Sequence, residues 1–107
     1  MSVIMTFKAK GDAAELERRA TANPDGMRAI TERAKANGLI AHRFYGSLEG
    51  DTIMVVDEWP DPESFQRFFE EMRAEIEPMM AEVGVTGEPE VTFWRKLETH
   101  DDVGWED

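Results

Sequence analysis

Two polar residues in neighbouring apolar segments, His42 and Asp57, have side chains suited to general acid–base chemistry. His42 lies in LIAHRFYG at 39–46, and Asp57 lies in TIMVVDEW at 52–59. A histidine titrates near neutral pH, and a carboxylate beside it fixes which ring nitrogen carries the proton. We therefore predict His42 as a catalytic base, with Asp57 orienting it within the substrate site. The alternative for His42 is a structural strand histidine, and a one-residue shift in pairing decides whether Asp57 shares its face.

Further side chains in these strands could contact an aromatic ligand. Trp59 and Trp94 offer flat apolar surfaces as walls of a substrate site. Tyr45, the only tyrosine, could hydrogen-bond a phenolic group, and Arg43 could neutralise an anionic one. The alternative for both tryptophans is packing in a core or an interface.

Several other chemistries find no support in the sequence. The chain has no cysteine, which excludes disulfides, thiolate nucleophiles and cysteine-bound metals. It also lacks GxGxxG, a P-loop and GxSxG, so no nucleotide cofactor or serine nucleophile is predicted. The cluster His100, Asp101 and Asp102 has neither helical nor strand spacing, and we predict no metal site.

The charge of the chain argues against two classes of partner. Residues 1–50 carry 8 Lys+Arg and 6 Asp+Glu, a net of +2, whereas residues 51–107 carry 4 and 17, a net of −13. An acidic half repels phosphate backbones and anionic lipids, so neither nucleic acid nor a membrane is expected as a partner. No apolar run is long enough to span a bilayer and no secretory signal is recognisable, which predicts a cytoplasmic protein.

The elements that must position these residues alternate in a regular order. Strand patterns occupy 2–9, 39–46, 52–59 and 91–97, and helix patterns occupy 12–22, 24–37 and a segment that starts at Pro62. Pro78 predicts a kink, or the start of a short separate helix through Val83. The order βαββαβ predicts an α+β, ferredoxin-like fold with a four-stranded antiparallel sheet, whose centre is the first and third strands. Residues 1–97 form this single domain, and residues 98–107 an acidic C-terminal tail.

The strands are apolar on both faces, although helices can cover only one. In the third strand, Met54 and Val56 lie on the face opposite to that of Ile53 and Val55. In the fourth strand, Trp94 lies on the face opposite to that of its apolar neighbours. Leaving roughly five large side chains in water would forgo about 1.5–3 kcal/mol each. We therefore predict a homodimer through the helix-free face of the sheet. Methionines at 27, 54, 72, 79 and 80 predict adaptable packing around an irregular cavity.

The tail combines acidic residues with a lone large aromatic, Trp105. An acidic segment of this kind is typical of a disordered end. Burying Trp105 would nevertheless contribute about 1.5–3 kcal/mol. We predict that the tail packs on protein through Trp105, either on the basic first helix or on a second subunit.

The segment VDEWPDPESFQRFF at 56–69 resembles the antibiotic-biosynthesis-monooxygenase-like branch of the dimeric α+β barrel superfamily. There, a strand ending in tryptophan runs into an acidic turn and a helix beginning near Glu-x-Phe; here these are Trp59, Asp61 and 63–65. The resemblance covers residues 2–97 and implies a dimeric α+β barrel. The polyketide oxygenases of this superfamily resemble one another in an Asn and a Tyr that here correspond to Val55 and Phe65.

The resemblance implies a small cofactor-independent monooxygenase acting on an apolar aromatic or polyketide-like molecule. The haem-degrading members share a first-strand Asn and a late-helix His that this sequence lacks, so no haem and no other cofactor is predicted. Because Val55 and Phe65 can neither donate nor accept a hydrogen bond, a base would have to come from elsewhere, and His42 is the candidate. The alternative is a non-catalytic dimer on the same scaffold that binds a small ligand or another protein.

Overall fold

The structure, a computed structural model, describes residues 1–105. Its elements in chain order are β1 (Val3–Lys10), α1 (Ala13–Ala22), α2 (Pro24–Ala36), β2 (Ala41–Gly46), β3 (Thr52–Trp59), α3 (Pro62–Glu82) and β4 (Glu90–Trp94). The predicted division of the first helical segment at residue 23 is confirmed. Together α1 and α2 fill one helical position of the βαββαβ plan.

The four strands form one antiparallel sheet in the order β2-β3-β1-β4. The predicted ferredoxin-like fold, with β1 and β3 at the centre, is therefore confirmed. In β3 the odd-numbered residues from Ile53 to Trp59 are all buried. They pack with Met5 and Phe7 of β1 against the helices, so this face of the sheet holds the core.

Each helix begins where its sequence signal lies. Asp12, Asn23 and Asp61 each accept a hydrogen bond from the backbone amide three residues later, at 3.0, 3.3 and 2.8 Å. Such caps satisfy an N–H group that the first helical turn leaves without a partner. Pro24 and Pro62 follow two of the caps at the first helical position, where proline needs no N–H.

The helix α3 excludes one of the two alternatives predicted at Pro78, the start of a separate short helix. It runs without interruption from Pro62 to Glu82, so neither a separate short helix nor a break occurs there. The reason lies in the packing: helical continuation past Pro78 brings Met80, 5% exposed, into the core, and Val83 is buried immediately after the helix. Burial of these side chains offsets the missing backbone hydrogen bond of the proline.

The chain beyond β4 forms neither helix nor strand as far as residue 105. The last strand ends at Trp94 rather than at Leu97, because its pairing with β1 ends at Ile4. Trp105 is 81% exposed, so the predicted packing on the first helix of the same chain does not occur. Docking of the tail on a second subunit stays a prediction, and its residues 106–107 lie outside the described part. No helix within residues 1–105 combines the length and apolarity of a membrane span.

A charged cluster connects α1 to the C-terminal end of α3. The carboxylate of Glu15 accepts hydrogen bonds from Arg18 and Arg19 at 2.6 to 2.8 Å, and Arg19 also donates to Glu82 at 2.7 Å. These hydrogen bonds lower the pKa of Glu15 from 4.5 to about 2. Arg18 makes the largest contribution and Arg19 the next largest. The cluster stabilises the carboxylate form, and with it the contact between the helices.

We expect the carboxyl group of Glu15 to titrate in the folded protein with a midpoint near pH 2. Because the folded-state pKa is lowered, the ion pairs contribute stability above pH 4.5 that is lost as the pH falls towards 2. Side-chain NMR measures the midpoint, and Arg18→Gln should raise it. A midpoint near 4.5 in the unaltered protein would contradict these contacts.

Candidate functional site

The β2–β3 hairpin places His42 directly opposite Asp57. Ser47 closes the loop, because its Oγ accepts hydrogen bonds at 3.2 and 3.1 Å from the two backbone N–H groups that follow Gly50. Gly50 has a φ of 85°, which a residue without Cβ adopts readily. A shift of one residue would turn Asp57 to the other face. The loop therefore determines that the two side chains meet.

Asp57 is a buried carboxylate, 5% exposed, with a partner on each oxygen. Its Oδ1 lies 2.7 Å from Nδ1 of His42, and its Oδ2 accepts a hydrogen bond from Nε1 of Trp59 at 3.0 Å. An ionised carboxylate only accepts hydrogen bonds, so Nδ1 of His42 must donate. In the neutral ring Nε2 then carries the lone pair, which is the state that a general base requires.

Trp59 holds the carboxylate from a fixed position. It is 0% exposed, and its ring centroid lies 5.8 Å from that of Phe65 and 5.6 Å from that of Phe68. The sequence predicted Trp59 as a wall of the substrate site. In the structure its indole N–H anchors Asp57, and its ring does not line the cavity beside His42 that is described next.

The His42 ring lines a cavity of about 80 Å³ between the sheet and the helices α2 and α3. Three of the 17 lining residues are polar, namely His42, Asp57 and Thr31. The hydroxyl of Thr31 donates to the carbonyl of Met27 at 3.0 Å. The side chain of His42 is 28% exposed, since β2 is an edge strand. The cavity is thus apolar except at the end where the histidine meets solvent.

The other predicted site residues lie on the opposite face of the sheet. Arg43 and Tyr45 alternate with His42 along β2, and Nη1 of Arg43 donates to the Tyr45 hydroxyl at 3.2 Å. Trp94 is 53% exposed, and its indole N–H donates to Thr6 at 2.9 Å. None of the three lines the cavity of its own chain. The structure therefore brings together His42, Asp57 and Trp59 and separates the rest.

Sequence reasoning missed most of the cavity wall. Thr31 and Ala34 of α2 lie in a stretch whose helical period indicated only a core-facing stripe. Of the five methionines predicted to surround an irregular cavity, Met27, Met79 and Met80 line it, whereas Met54 and Met72 do not. Within residues 1–105, no group of three or more histidine and acidic side chains could hold a metal ion.

We expect Trp59 and Asp57 to be energetically coupled. A double-mutant cycle with Trp59→Phe and Asp57→Leu should give a coupling free energy of about 0.5–3 kcal/mol, because Trp59→Phe alone leaves a buried carboxylate oxygen without its donor. Denaturant unfolding measures it. The matched pair Trp94→Phe and Asp57→Leu lies across the sheet and should be additive within about 0.5 kcal/mol. Additivity in the first cycle would show that the indole N–H does not hold the carboxylate.

The comparisons with known proteins identify the fold and leave the activity open. No protein-family model and no curated protein matches the sequence. A monooxygenase from the gene ActVA-Orf6 of Streptomyces coelicolor, solved with the ligand nanaomycin D, is similar with a TM-score of 0.63 and 19% identity, over 95% of this chain and 91% of that chain.

Two further solved structures are similar over nearly their whole length. SnoaB, a cofactor-independent oxygenase from Streptomyces nogalater, has a TM-score of 0.58 and 14% identity, over 94% of this chain and 98% of that one. A dimeric ferredoxin-like protein from an uncultured marine organism has a TM-score of 0.65 and 16% identity, over 95% and 93%. The predicted resemblance is confirmed at the level of the fold: the chain has the ferredoxin-like fold of these monooxygenases.

Proposed function

We propose that the protein is a cofactor-independent monooxygenase of apolar aromatic molecules, with His42 as general base. One observation carries this proposal: the only histidine of the sheet lies at the polar end of an apolar cavity, with its Nδ1 bonded to a buried carboxylate. This arrangement leaves Nε2 to accept a proton from a substrate in the cavity.

The reaction begins when Nε2 of His42 takes a proton from a substrate hydroxyl or an acidic C–H group. The resulting anion shares its charge with a ring carbon, which transfers electrons to dioxygen and forms a C–O bond. The imidazolium returns the proton to the peroxide, and loss of water leaves a carbonyl group. The substrate gains one oxygen atom and loses two hydrogen atoms, and the second oxygen leaves as water. The substrate is thus the reductant.

The surroundings of His42 support each step. Asp57 stabilises the imidazolium that forms when the ring takes up the proton, and Trp59 keeps Asp57 in place. The apolar walls exclude water, which would otherwise protonate the anion before it meets dioxygen. Val55 and Phe65 are among these walls. They occupy the positions that correspond to the Asn and the Tyr by which the polyketide oxygenases of the superfamily resemble one another. In this chain the polar group comes from β2 instead.

Two solved neighbours support the class of reaction, since one is described as a cofactor-independent oxygenase and another as a monooxygenase with a bound ligand. A second candidate function is binding of the same molecules without turnover. The apolar character of Val55 and Phe65 favours it, because His42 and Asp57 are then the only ionisable groups at the cavity.

We also propose that a second copy of the chain covers the helix-free face of the sheet. Ile4, Tyr45 and Trp94 are exposed there, and Met54 and Val56 are half-buried. Exposure of these side chains would cost a large part of the ~5–15 kcal/mol that stabilises a domain. The face also carries polar side chains, and these have partners: Arg43 donates to the Tyr45 hydroxyl, Lys8 is paired with Glu90, and Glu58 accepts a hydrogen bond from Ser2. A similar solved structure is described as dimeric.

We expect oxygen uptake with at least one member of a panel of anthrones and hydroquinones, and about 10²–10⁴-fold less uptake in His42→Ala, because the base is lost. His100→Ala, which changes the other histidine, is the matched control and should react like the unaltered protein. Equal rates in His42→Ala and the unaltered protein would remove His42 from catalysis. No uptake with any substrate would favour binding without turnover.

We expect sedimentation at micromolar concentration to give a particle of about 24 kDa, twice the 12.2 kDa chain. Val56→Glu places a charge on the helix-free face and should shift the mass to that of one chain. Val91→Glu, the same change on the opposite face, is the matched control and should remain dimeric. A stable monomer of the unaltered protein would contradict the proposed assembly.

A further inference from the structure

The cavity beside His42 has a size, a polarity and a charge that restrict its ligand more narrowly than the proposed reaction does. We propose that it binds a neutral phenol or hydroquinone with a single aromatic ring, whose hydroxyl donates a hydrogen bond to Nε2 of His42. This inference deepens the proposed function and rests on it for the role of His42.

The charge of the lining excludes anionic ligands. None of the 17 lining residues is a lysine or an arginine. Arg43 follows His42 in the chain but lies on the other face of the sheet. Arg73 packs over the ring of Phe69, 5.2 Å from its centroid, but it does not line the cavity and is paired with Glu70. A carboxylate or phosphate would therefore lose its hydration and find neither a lysine nor an arginine in return, and a neutral His42 ring carries no compensating charge.

The polar groups of the cavity require a ligand that donates a single hydrogen bond. Both oxygens of Asp57 already accept from His42 and Trp59, and the hydroxyl of Thr31 donates to a backbone carbonyl. Within residues 1–105, no group donates to Nε2 of His42. A phenolic O–H matches this acceptor, whereas a hydrocarbon adds no hydrogen bond to it.

The volume of the cavity limits the ligand to about one ring. A cavity of about 80 Å³ is roughly half of the ~150 Å³ that accommodates benzene in an engineered protein. Met27, Met79 and Met80 are flexible parts of the wall, and rotation of their side chains can supply the missing space for a single ring. Three fused rings exceed this space, and part of such a ligand would remain outside the cavity, at the end that is open to solvent.

The wall favours an aromatic body over an aliphatic one. Five phenylalanines and four methionines line the cavity. Their ring edges and sulfur atoms make contacts with an aromatic face beyond the burial of apolar area. Three features of the cavity thus favour three properties of the ligand. The wall of phenylalanines and methionines favours an aromatic ring, the absence of lysine and arginine favours a neutral molecule, and Nε2 of His42 favours one hydroxyl group.

The test is titration calorimetry of the unaltered full chain without dioxygen, so that binding is measured without turnover. The ligands are p-cresol, toluene, 4-methylbenzoate and anthrone. We expect p-cresol to bind about five- to tenfold more tightly than toluene, by the value of one hydrogen bond. We expect 4-methylbenzoate and anthrone to bind at least about tenfold more weakly than p-cresol.

Ala34→Leu is the matched variant, because Ala34 is 4% exposed and its added carbon atoms enter the cavity. It should weaken the binding of p-cresol at least about tenfold. If Ala34→Leu does not fold, the ligand series on the unaltered chain decides by itself. Anthrone or 4-methylbenzoate binding as tightly as p-cresol, or no preference for p-cresol over toluene, would overturn the inference.

The two proposals fail differently. If p-cresol binds in the expected order but no hydroquinone or anthrone gives oxygen uptake, the proposed monooxygenase activity is contradicted and the proposed single-ring ligand is supported. If anthrones give oxygen uptake but p-cresol shows no measurable binding, the proposed monooxygenase activity is supported and the proposed single-ring ligand is contradicted.

Discussion

The arrangement of this protein depends on the burial of one carboxylate. Taking a charged group such as Asp57 out of water costs several kcal/mol unless donors replace the lost hydration. Trp59 supplies one donor and His42 the other, at 3.0 and 2.7 Å. The requirement of the carboxylate for two donors determines which nitrogen of His42 carries the proton. A constraint of folding thereby produces the state of the histidine that base catalysis needs.

The alternation of side chains along each strand divides the sheet into two surfaces with different roles. His42 and Asp57 face the helices and form the polar end of the cavity, whereas Arg43 and Tyr45, next to His42 in the chain, face away. The proposed catalytic surface is therefore complete within one chain. In the proposed dimer, the other surface, which includes Trp94, packs against the second copy. A substitution on one face should leave the other largely unaffected.

Local signals in the sequence were sufficient to predict the element order, and the handedness of the crossovers then predicted the central strands. The facing of Asp57 was not predictable, since it depends on a hairpin register that one residue would reverse. The sequence left open whether Pro78 kinks the helix or starts a separate one, and the packing of Met80 favours a continuous helix. The position of Trp105 was predictable only in part: apolarity identifies a side chain that favours burial, but it does not show which surface covers it, and within one chain Trp105 does not pack on the first helix.

The most direct test of the central claim is the position of the proton on His42, measured by nitrogen-15 NMR of the histidine side chains at a pH where the rings are neutral. We expect His42 to carry the proton on Nδ1, with Nε2 unprotonated, and His100 in the exposed tail to provide an unconstrained reference in the same spectrum. In Asp57→Leu the His42 signals should move to those of His100. A proton on Nε2 of His42 in the unaltered protein, unchanged by Asp57→Leu, would contradict the account.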